Sequence, residues 1–271
     1  MRRAIDFSKR LFGYIRFQVS KRIPFRVKDF FYVLQNINTN SVDYVEIKHY
    51  FKEKHGLEIG GPSVLFRTEL PIYRVITNMD NVNFARETLW ESGLTEEKSF
   101  QYGTFHRKTG RQIICDATDL SEIPSLKYDF VISSNTLEHI ANPIRALNEW
   151  QRIIKNKGFL LVVVPKKESN FDHKREIALF SHIIEDFNQN TNEDSLFHLE
   201  EILEKHDLDR DIPAGNSEDF RKRSENNYQN RSLHHHVFDN QVIKEMLTFA
   251  GFSVTKQFNT PTDYFTIGVK N

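Results

Sequence analysis

The sequence predicts an α/β fold: a doubly wound sheet of seven mostly parallel strands, with a helical lid insertion and an N-terminal extension. Three features predict it. Apolar strand-like runs alternate with amphipathic helical stretches along the chain. The central runs, "YDFVISS" (128–134) and "GFLLVVVP" (158–165), are continuously apolar, as strands covered on both faces are. Between Pro165 and His236 lies a long stretch without strand signals, the kind of insertion that covers something.

The seven expected strands are 56–59, 73–79, 111–116, 128–134, 158–165, 252–258 and 264–270. Helices are expected between them. "NVNFARETLWESG" (81–93) closes on a glycine, and "NPIRALNEWQRIIKNKG" (142–158) starts with Pro143 in its first turn. Ile144, Leu147, Trp150 and Ile154 make one apolar stripe in the second, with Lys155 and Lys157 where the dipole favours cations. "DNQVIKEMLTFAGF" (239–252) repeats the scheme, with Asp239 as N-cap and Gly251 as stop. Two further helices, 174–187 and 194–208, fall inside the insertion.

The chain reads as a single sheet domain at 51–271 with its lid at about 166–235, preceded by a basic aromatic extension at 1–50. Residues 1–40 hold nine Lys or Arg against Asp6 and Asp29, interleaved with phenylalanines. Two readings stand: an amphipathic arm packed on its own domain, or peripheral contact of residues 1–32 with an anionic membrane. Total charge is zero, which argues against nucleic acid as a partner. The longest apolar run, "FLLVVV" (159–164), is far short of the roughly 18–20 residues that span a bilayer. The amino terminus lacks the order of a secretory signal. Cys115 stands alone in an apolar run, so no internal disulfide is available and an inert buried thiol is expected. These features favour the cytoplasm, with the inner membrane face as a peripheral site.

Ligands of an open parallel sheet bind beyond the carboxyl ends of its strands. Each expected tip carries suitable chemistry. Strand one, in "HGLEIGGPSVLF" (55–66), carries Glu58 and leads into Gly60, Gly61, Pro62 and Ser63, a turn where a ligand can approach bare backbone and amides can donate. Asp80 stands 20 residues after Gly60, a spacing suited to accepting both hydroxyls of a ribose. Asp116 and Ala117 follow strand three, where a carboxylate can receive an amino group. Asn135 follows strand four. The loop lacks G-x-G-x-x-G, which disfavours a dinucleotide, and no Walker loop is present.

These tips, together with the ordered run "SSNTLEHI", "NP", "AL", "E", "R" and the strand end "VVVP" within 128–165, resemble the class I S-adenosylmethionine-dependent methyltransferases, which have a Rossmann-like fold. The branch resembled is the methyltransferase type 11-like one. "HHHVFDNQVIKEMLTFAGFSV" (234–254) is similar to the family's helix before strand six. The resemblance implies S-adenosyl-L-methionine as cofactor, with Glu58 and the Gly60-Gly61 loop at its methionine part, Asp80 at its ribose, Asp116 and Ala117 at its adenine, and Asn135 on its sulfonium side. Two of the family's three alternating glycines are missing, and Pro62 removes an amide donor. The "GGPS" loop, the histidine-rich insert and "HHHVF" are similar to bacterial methyltransferases associated with polysaccharide biosynthesis, which implies a small-molecule or glycan acceptor.

A hydroxyl acceptor has so high a pKa that a positioned base speeds its methylation by roughly 10² to 10⁴. Seven of the 11 histidines lie between 173 and 236. His173, His182 and His235 are candidate bases there, and His139, in "LEHI", either faces the acceptor or fixes the loop. His182 and Asp186 share a helical face. Solvated helices, a polar sugar pocket with a histidine base, and a divalent metal that binds acceptor hydroxyls are the three readings of the cluster. No compact metal motif is present, and no metal ligand is assigned. O-methylation of a sugar or glycan hydroxyl is the expected reaction. The alternatives are a non-catalytic scaffold of the same fold, or methylation of another small molecule.

Overall fold

The structure, a computed structural model, describes residues 42–90, 93–102 and 108–271, so most of the N-terminal extension lies outside the described residues. An eight-stranded mixed sheet organises them. In chain order the strands are β1 (His55–Ile59), β2 (Asn78–Asn83), β3 (Glu97–Gln101), β4 (Thr109–Ile114), β5 (Tyr128–Ser134), β6 (Ile154–Pro165), β7 (Phe252–Asn259) and β8 (Asp263–Lys270). They lie in the order β3-β4-β2-β1-β5-β6-β8-β7. The stretch β4-β2-β1-β5-β6 is parallel. β3 and β8 run antiparallel to their neighbours, and β7 pairs antiparallel with β8. The eighth strand, absent from the sequence expectation, is β3, paired along β4 at the sheet's edge.

Period-two alternation divides the core. Val131, Leu160, Val162 and Val164 face one side, while Phe130, Ile132, Leu161 and Val163 face the other. The first side is covered by α2 (Pro143–Ile153) and α7 (Asn240–Phe249). Asn142 caps α2 by accepting from the Arg145 amide at 3.0 Å, and Trp150 is fully buried. Asp239 caps α7 through the Val242 amide at 2.9 Å. The second side is covered by α1 (Val42–Phe51), through Tyr44, Ile47 and Phe51, and by the β1–β2 connection. Helix α1 thus falls, all but Phe51, within the stretch assigned to the extension yet packs on the sheet.

Three expectations need correction. Strand two is not 73–79, because Ile72–Arg74 form a 3-10 turn after Pro71 and bury Ile72 and Tyr73 beside α1. The strand is instead the polar "NMDNVN", and the described residues of 81–93 form no helix. Helix α2 also stops at Ile153, so Lys155 and Lys157 belong to β6 rather than to a helix end.

Residues 166–235 contain no strand. They hold α3 (Phe180–Gln189), α4 (Leu199–Lys205), α5 (Ser217–Glu225) and the short α6 (Asn227–Asn230). Among the described residues, no helix is long and apolar enough to cross a membrane.

Candidate active site

The carboxyl tips of β1, β2, β4, β5 and β6 open into one cavity of about 560 Å³, within the usual range for small-ligand sites. Its floor includes Gly60, Asn83, Asp116, Ala117 and Asn135, and the lid supplies Phe171, Glu193, Arg231 and His234.

The β1 loop is held from behind. Gly60 has φ of +81°, and a Cβ there would stand 2.5 Å from Thr136 Oγ1, so only a glycine leaves the tip of β5 and the cavity undisturbed. Gly61 gives its N–H to Asn81 Oδ1 at 2.9 Å and accepts from Asn81 Nδ2 at 3.0 Å. A Cβ on Gly61 would lie 2.2 Å from Glu58 Cδ. Glu58 is fully buried and lies outside the cavity lining. Its carboxylate accepts from the Ser63 N–H at 3.0 Å, the Ser63 hydroxyl at 2.7 Å and the Tyr73 hydroxyl. Burial raises its pKa against those donors. Glu58 and Gly61 therefore shape the loop, and Gly60, Pro62 and Ser63 form its cavity edge.

Asp80 lies elsewhere, a consequence of the shifted strand. It pairs with Leu57 in mid-sheet, 5% exposed and away from the cavity. Tyr128 Oη donates to Oδ2 at 2.9 Å, the Arg111 amide to Oδ1 at 3.0 Å, and His55 Nε2 stands 3.4 Å away. Burial alone would raise this carboxyl, but those donors outweigh it and hold it at about 2. Asp80 is a structural acid at the amino-terminal end of β1 and β5. The side chain at the β2 tip is Asn83, in a buried amide cluster with Asn81 and Gln112.

Asp116 and Ala117 do line the cavity. Asp116 Oδ1 accepts from the Thr118 amide and hydroxyl at 2.8 and 2.7 Å, and Oδ2 stands 3.0 Å from Arg231 Nη2. Arg231 also reaches Glu193 at 3.3 Å and lies over the rings of Phe84 and Tyr228. Asn135, at φ of +51°, lies at the β5 tip with its amide bonded to the Val163 carbonyl at 2.9 Å. Cys115, just before this loop, has its thiol pushed up to about 12 by burial and nearby acids.

At the lid end of the cavity, Glu138, His139 and His234 each hold one polar side-chain atom within 4.8 Å of the others'. Glu138 is 2% exposed, and neither carboxylate oxygen has a hydrogen-bond partner outside its own backbone among the described residues. Burial raises it to about 7, against the pull of His234. His139 Nδ1 lies 3.1 Å from the Leu233 carbonyl, which makes Nδ1 the donor and leaves Nε2 unprotonated; burial pushes its pKa well down. His234 Nδ1 lies 2.5 Å from Asp172 Oδ2, and Arg175 braces that carboxylate at 3.1 Å.

Of the candidate bases, the structure brings only His139 to the cavity. His173 pairs with Asp207 at 2.8 Å on the lid. His182 faces His198 and Asp186. His235 is buried against Asn227 and Glu193 at 3.0 and 3.3 Å. Its neighbour His234 enters the cavity instead, since consecutive side chains of a non-helical segment point different ways. Glu138, Asn83, Glu193 and Arg231 were not singled out from the sequence. Glu138 alone carried a signal, an acid inside the ordered "SSNTLEHI" run.

A cavity of this kind at the strand tips, with a bare-backbone turn and a lid, is where an open α/β sheet binds its ligand. A family model described as a methyltransferase domain matches residues 41–257, and the chain belongs to that family. It is thus a methyltransferase enzyme, and the family implies S-adenosylmethionine as methyl donor. A 42-residue stretch is 55% identical to the uncharacterized protein MJ0638 of Methanocaldococcus jannaschii, covering 16% of this chain and 18% of that protein's length. Among solved structures, a SAM-dependent methyltransferase from Aquifex aeolicus is similar at TM-score 0.46 and 13% identity, over 84% of this chain and 90% of that one. The PH0226 protein from Pyrococcus horikoshii OT3 gives 0.47 and 14%, over 87% and 94%. Likenesses this loose add no weight to the family match.

Proposed function

We propose that the enzyme methylates a hydroxyl of a sugar or glycan, using S-adenosylmethionine, with Glu138 rather than a lid histidine receiving the proton. The observation that carries this reading is the buried Glu138 carboxylate, with no partner among the described residues beyond its own backbone, set beside His139 and His234 on the cavity wall. Such a group is costly to keep unless something joins it, and a substrate hydroxyl is the natural donor.

The chain's groups fit the donor. Gly60 offers bare backbone, Asn83 stands at the β2 tip for ribose hydroxyls, Asp116 and Ala117 for the adenine, and Ser63 and Asn135 flank the remaining length. When bound, S-adenosylmethionine supplies an electrophilic methyl group on a sulfonium. Glu138 would take up the acceptor hydroxyl's proton as the methyl carbon leaves the sulfonium sulfur, which departs as a neutral thioether, and His139 and His234 would align the acceptor. The lid excludes water above them. A wall of one acid and two imidazoles suits the several hydroxyls of a sugar better than an apolar acceptor. An inner-membrane glycan precursor is the acceptor we favour, in keeping with the basic, phenylalanine-rich residues 1–32.

The test uses the full chain, calorimetry with S-adenosylmethionine, and mass spectrometry of host glycans with and without the protein. Glu138→Gln should keep cofactor affinity and lose turnover by roughly 10² or more. Turnover at the wild-type level in that variant, or unchanged glycans in a host lacking the protein, overturns the proposal.

A further inference from the structure

A second polar cluster lies in the lid, outside the cavity. His182 and Asp186, one turn apart on α3, meet His198 at the start of α4 and His236 on the segment leading into α7. One ligand atom from each of the four lies within 4.8 Å of all the others, and none of the four lines the cofactor cavity. His182 Nε2 stands 2.9 Å from His198 Nε2 and 3.3 Å from Asp186 Oδ2, and His236 Nε2 is 3.0 Å from that same oxygen.

Four ligand-type atoms converge here: the His182 and His198 Nε2 atoms face each other and share one proton at most, and Oδ2 of Asp186 meets both His236 and His182. A dication at the centre would be met by all four lone pairs together. Tetrahedral zinc with nitrogen and oxygen ligands at about 2.0–2.2 Å places neighbouring ligand atoms roughly 3.3–3.5 Å apart; three of the pairs here stand at 2.9, 3.0 and 3.3 Å, and every pair lies within 4.8 Å. One outer contact fits as well. Thr191 Oγ1 donates to Asp186 Oδ1 at 2.9 Å, which turns Oδ2 toward the three imidazoles.

We propose that His182, Asp186, His198 and His236 bind one zinc ion, a structural site that staples the lid to the segment before α7. Four protein ligands close a tetrahedral shell, so the ion has no open position for chemistry. The site ties α3, α4 and residue 236 across 54 residues of lid, and residue 236 is two positions from His234 in the active cavity. Zinc therefore fixes the lid wall against which an acceptor would rest. The inference does not depend on the identity of that acceptor.

The test takes the full chain, grown with zinc and freed of loosely held metal by dialysis, and measures metal content by mass spectrometry. One zinc per chain is expected. His198→Ala and His236→Ala should lose it, Thr191→Val should weaken it roughly ten- to hundredfold, and Glu138→Gln should keep it. Cobalt(II) in the wild-type protein should give the strong visible absorption of a four-coordinate ion, a readout that holds even where a variant does not fold. Three results would each overturn the proposal: wild-type chain that neither retains zinc nor takes it up in titration, a weak six-coordinate cobalt spectrum, or metal lost from Glu138→Gln but kept by His198→Ala.

Discussion

Arg231 of the lid places Nη2 3.0 Å from Asp116 Oδ2 at the tip of β4, so one ion pair joins the cover to the floor of the cavity. The arginine is 15% exposed at its side chain and is fixed by Glu193 and two aromatic rings. The pair couples lid closure to the end of the cavity proposed for the adenine. Arg231→Ala should therefore raise the Kd for S-adenosylmethionine and speed proteolytic cleavage of residues 166–235. A double-mutant cycle with Asp116→Ala should return a coupling of about 1 kcal/mol, smaller at high salt because Asp116 is one-third exposed. Additive effects would mean that the two side chains merely sit close.

Asp80 and Asn83 lie three residues apart on β2, and they should separate stability from cofactor binding. Asp80 is held at about 2, below the ordinary 3.8 of its side chain, so its contribution is complete above pH about 3.8 and is lost as pH falls toward about 2. Asp80→Asn should lower stability at pH 7 by on the order of 1–2 kcal/mol and flatten the acid limb of the unfolding curve, with the cofactor Kd little changed. Asn83→Ala should do the reverse, weakening the cofactor more than the fold. Thermal melts across pH, set beside calorimetry, check both; a large Kd change in Asp80→Asn would return that acid to the ribose.

The contrast shows what could be read from the residues. The β1 loop, the Asp116-Ala117 turn, Asn135 and helix α2 were legible because each is local: a strand ending in turn residues, or a cap followed by an apolar stripe. Strand two was not. "YRVITNM" has the apolar profile of a strand, but Ile72 and Tyr73 are needed beneath the loop, while the real strand "NMDNVN" is polar and satisfied by tertiary partners such as Gly61 and Gln112. Hydrophobic periodicity does not register such a strand. The same blindness placed Glu58 at the ligand, since nothing local says that Ser63 and Tyr73 fold back onto it. Among "HHH", adjacent residues go to the cavity, to Glu193 and to Asp186, a division that only packing decides.

Gly60 tests the loop directly. Its φ is +81°, and Thr136 Oγ1 lies 2.5 Å from where a Cβ would stand, so alanine meets two separate obstacles. Gly60→Ala should cost roughly 1–3 kcal/mol and abolish measurable cofactor binding. Adding Thr136→Ala removes the clash but not the backbone strain, so the double variant should recover part of the stability, by differential scanning calorimetry. Full recovery would show that the left-handed turn is not required.

Glu138 sets activity against stability. Its carboxyl, raised by burial to about 7, faces His139 and His234, with Asp172 and Asp263 adding negative charge nearby. The folded pKa exceeds the ordinary 4.5, so the favourable neutral form is fully present below that value and the contribution is lost as pH rises through about 7. Turnover has the opposite sign, since the proton acceptor is the ionised form: kcat should climb as pH passes about 7. Glu138→Gln removes the unpaired buried charge, and at pH 8 it should be more stable than wild type by on the order of 1–3 kcal/mol while losing turnover. Melting curves and rate profiles over the same pH range measure both. A variant that is inactive yet less stable at high pH would mean that Glu138 has a partner holding its charge, and a wild-type rate flat through pH 7 would remove it as the base.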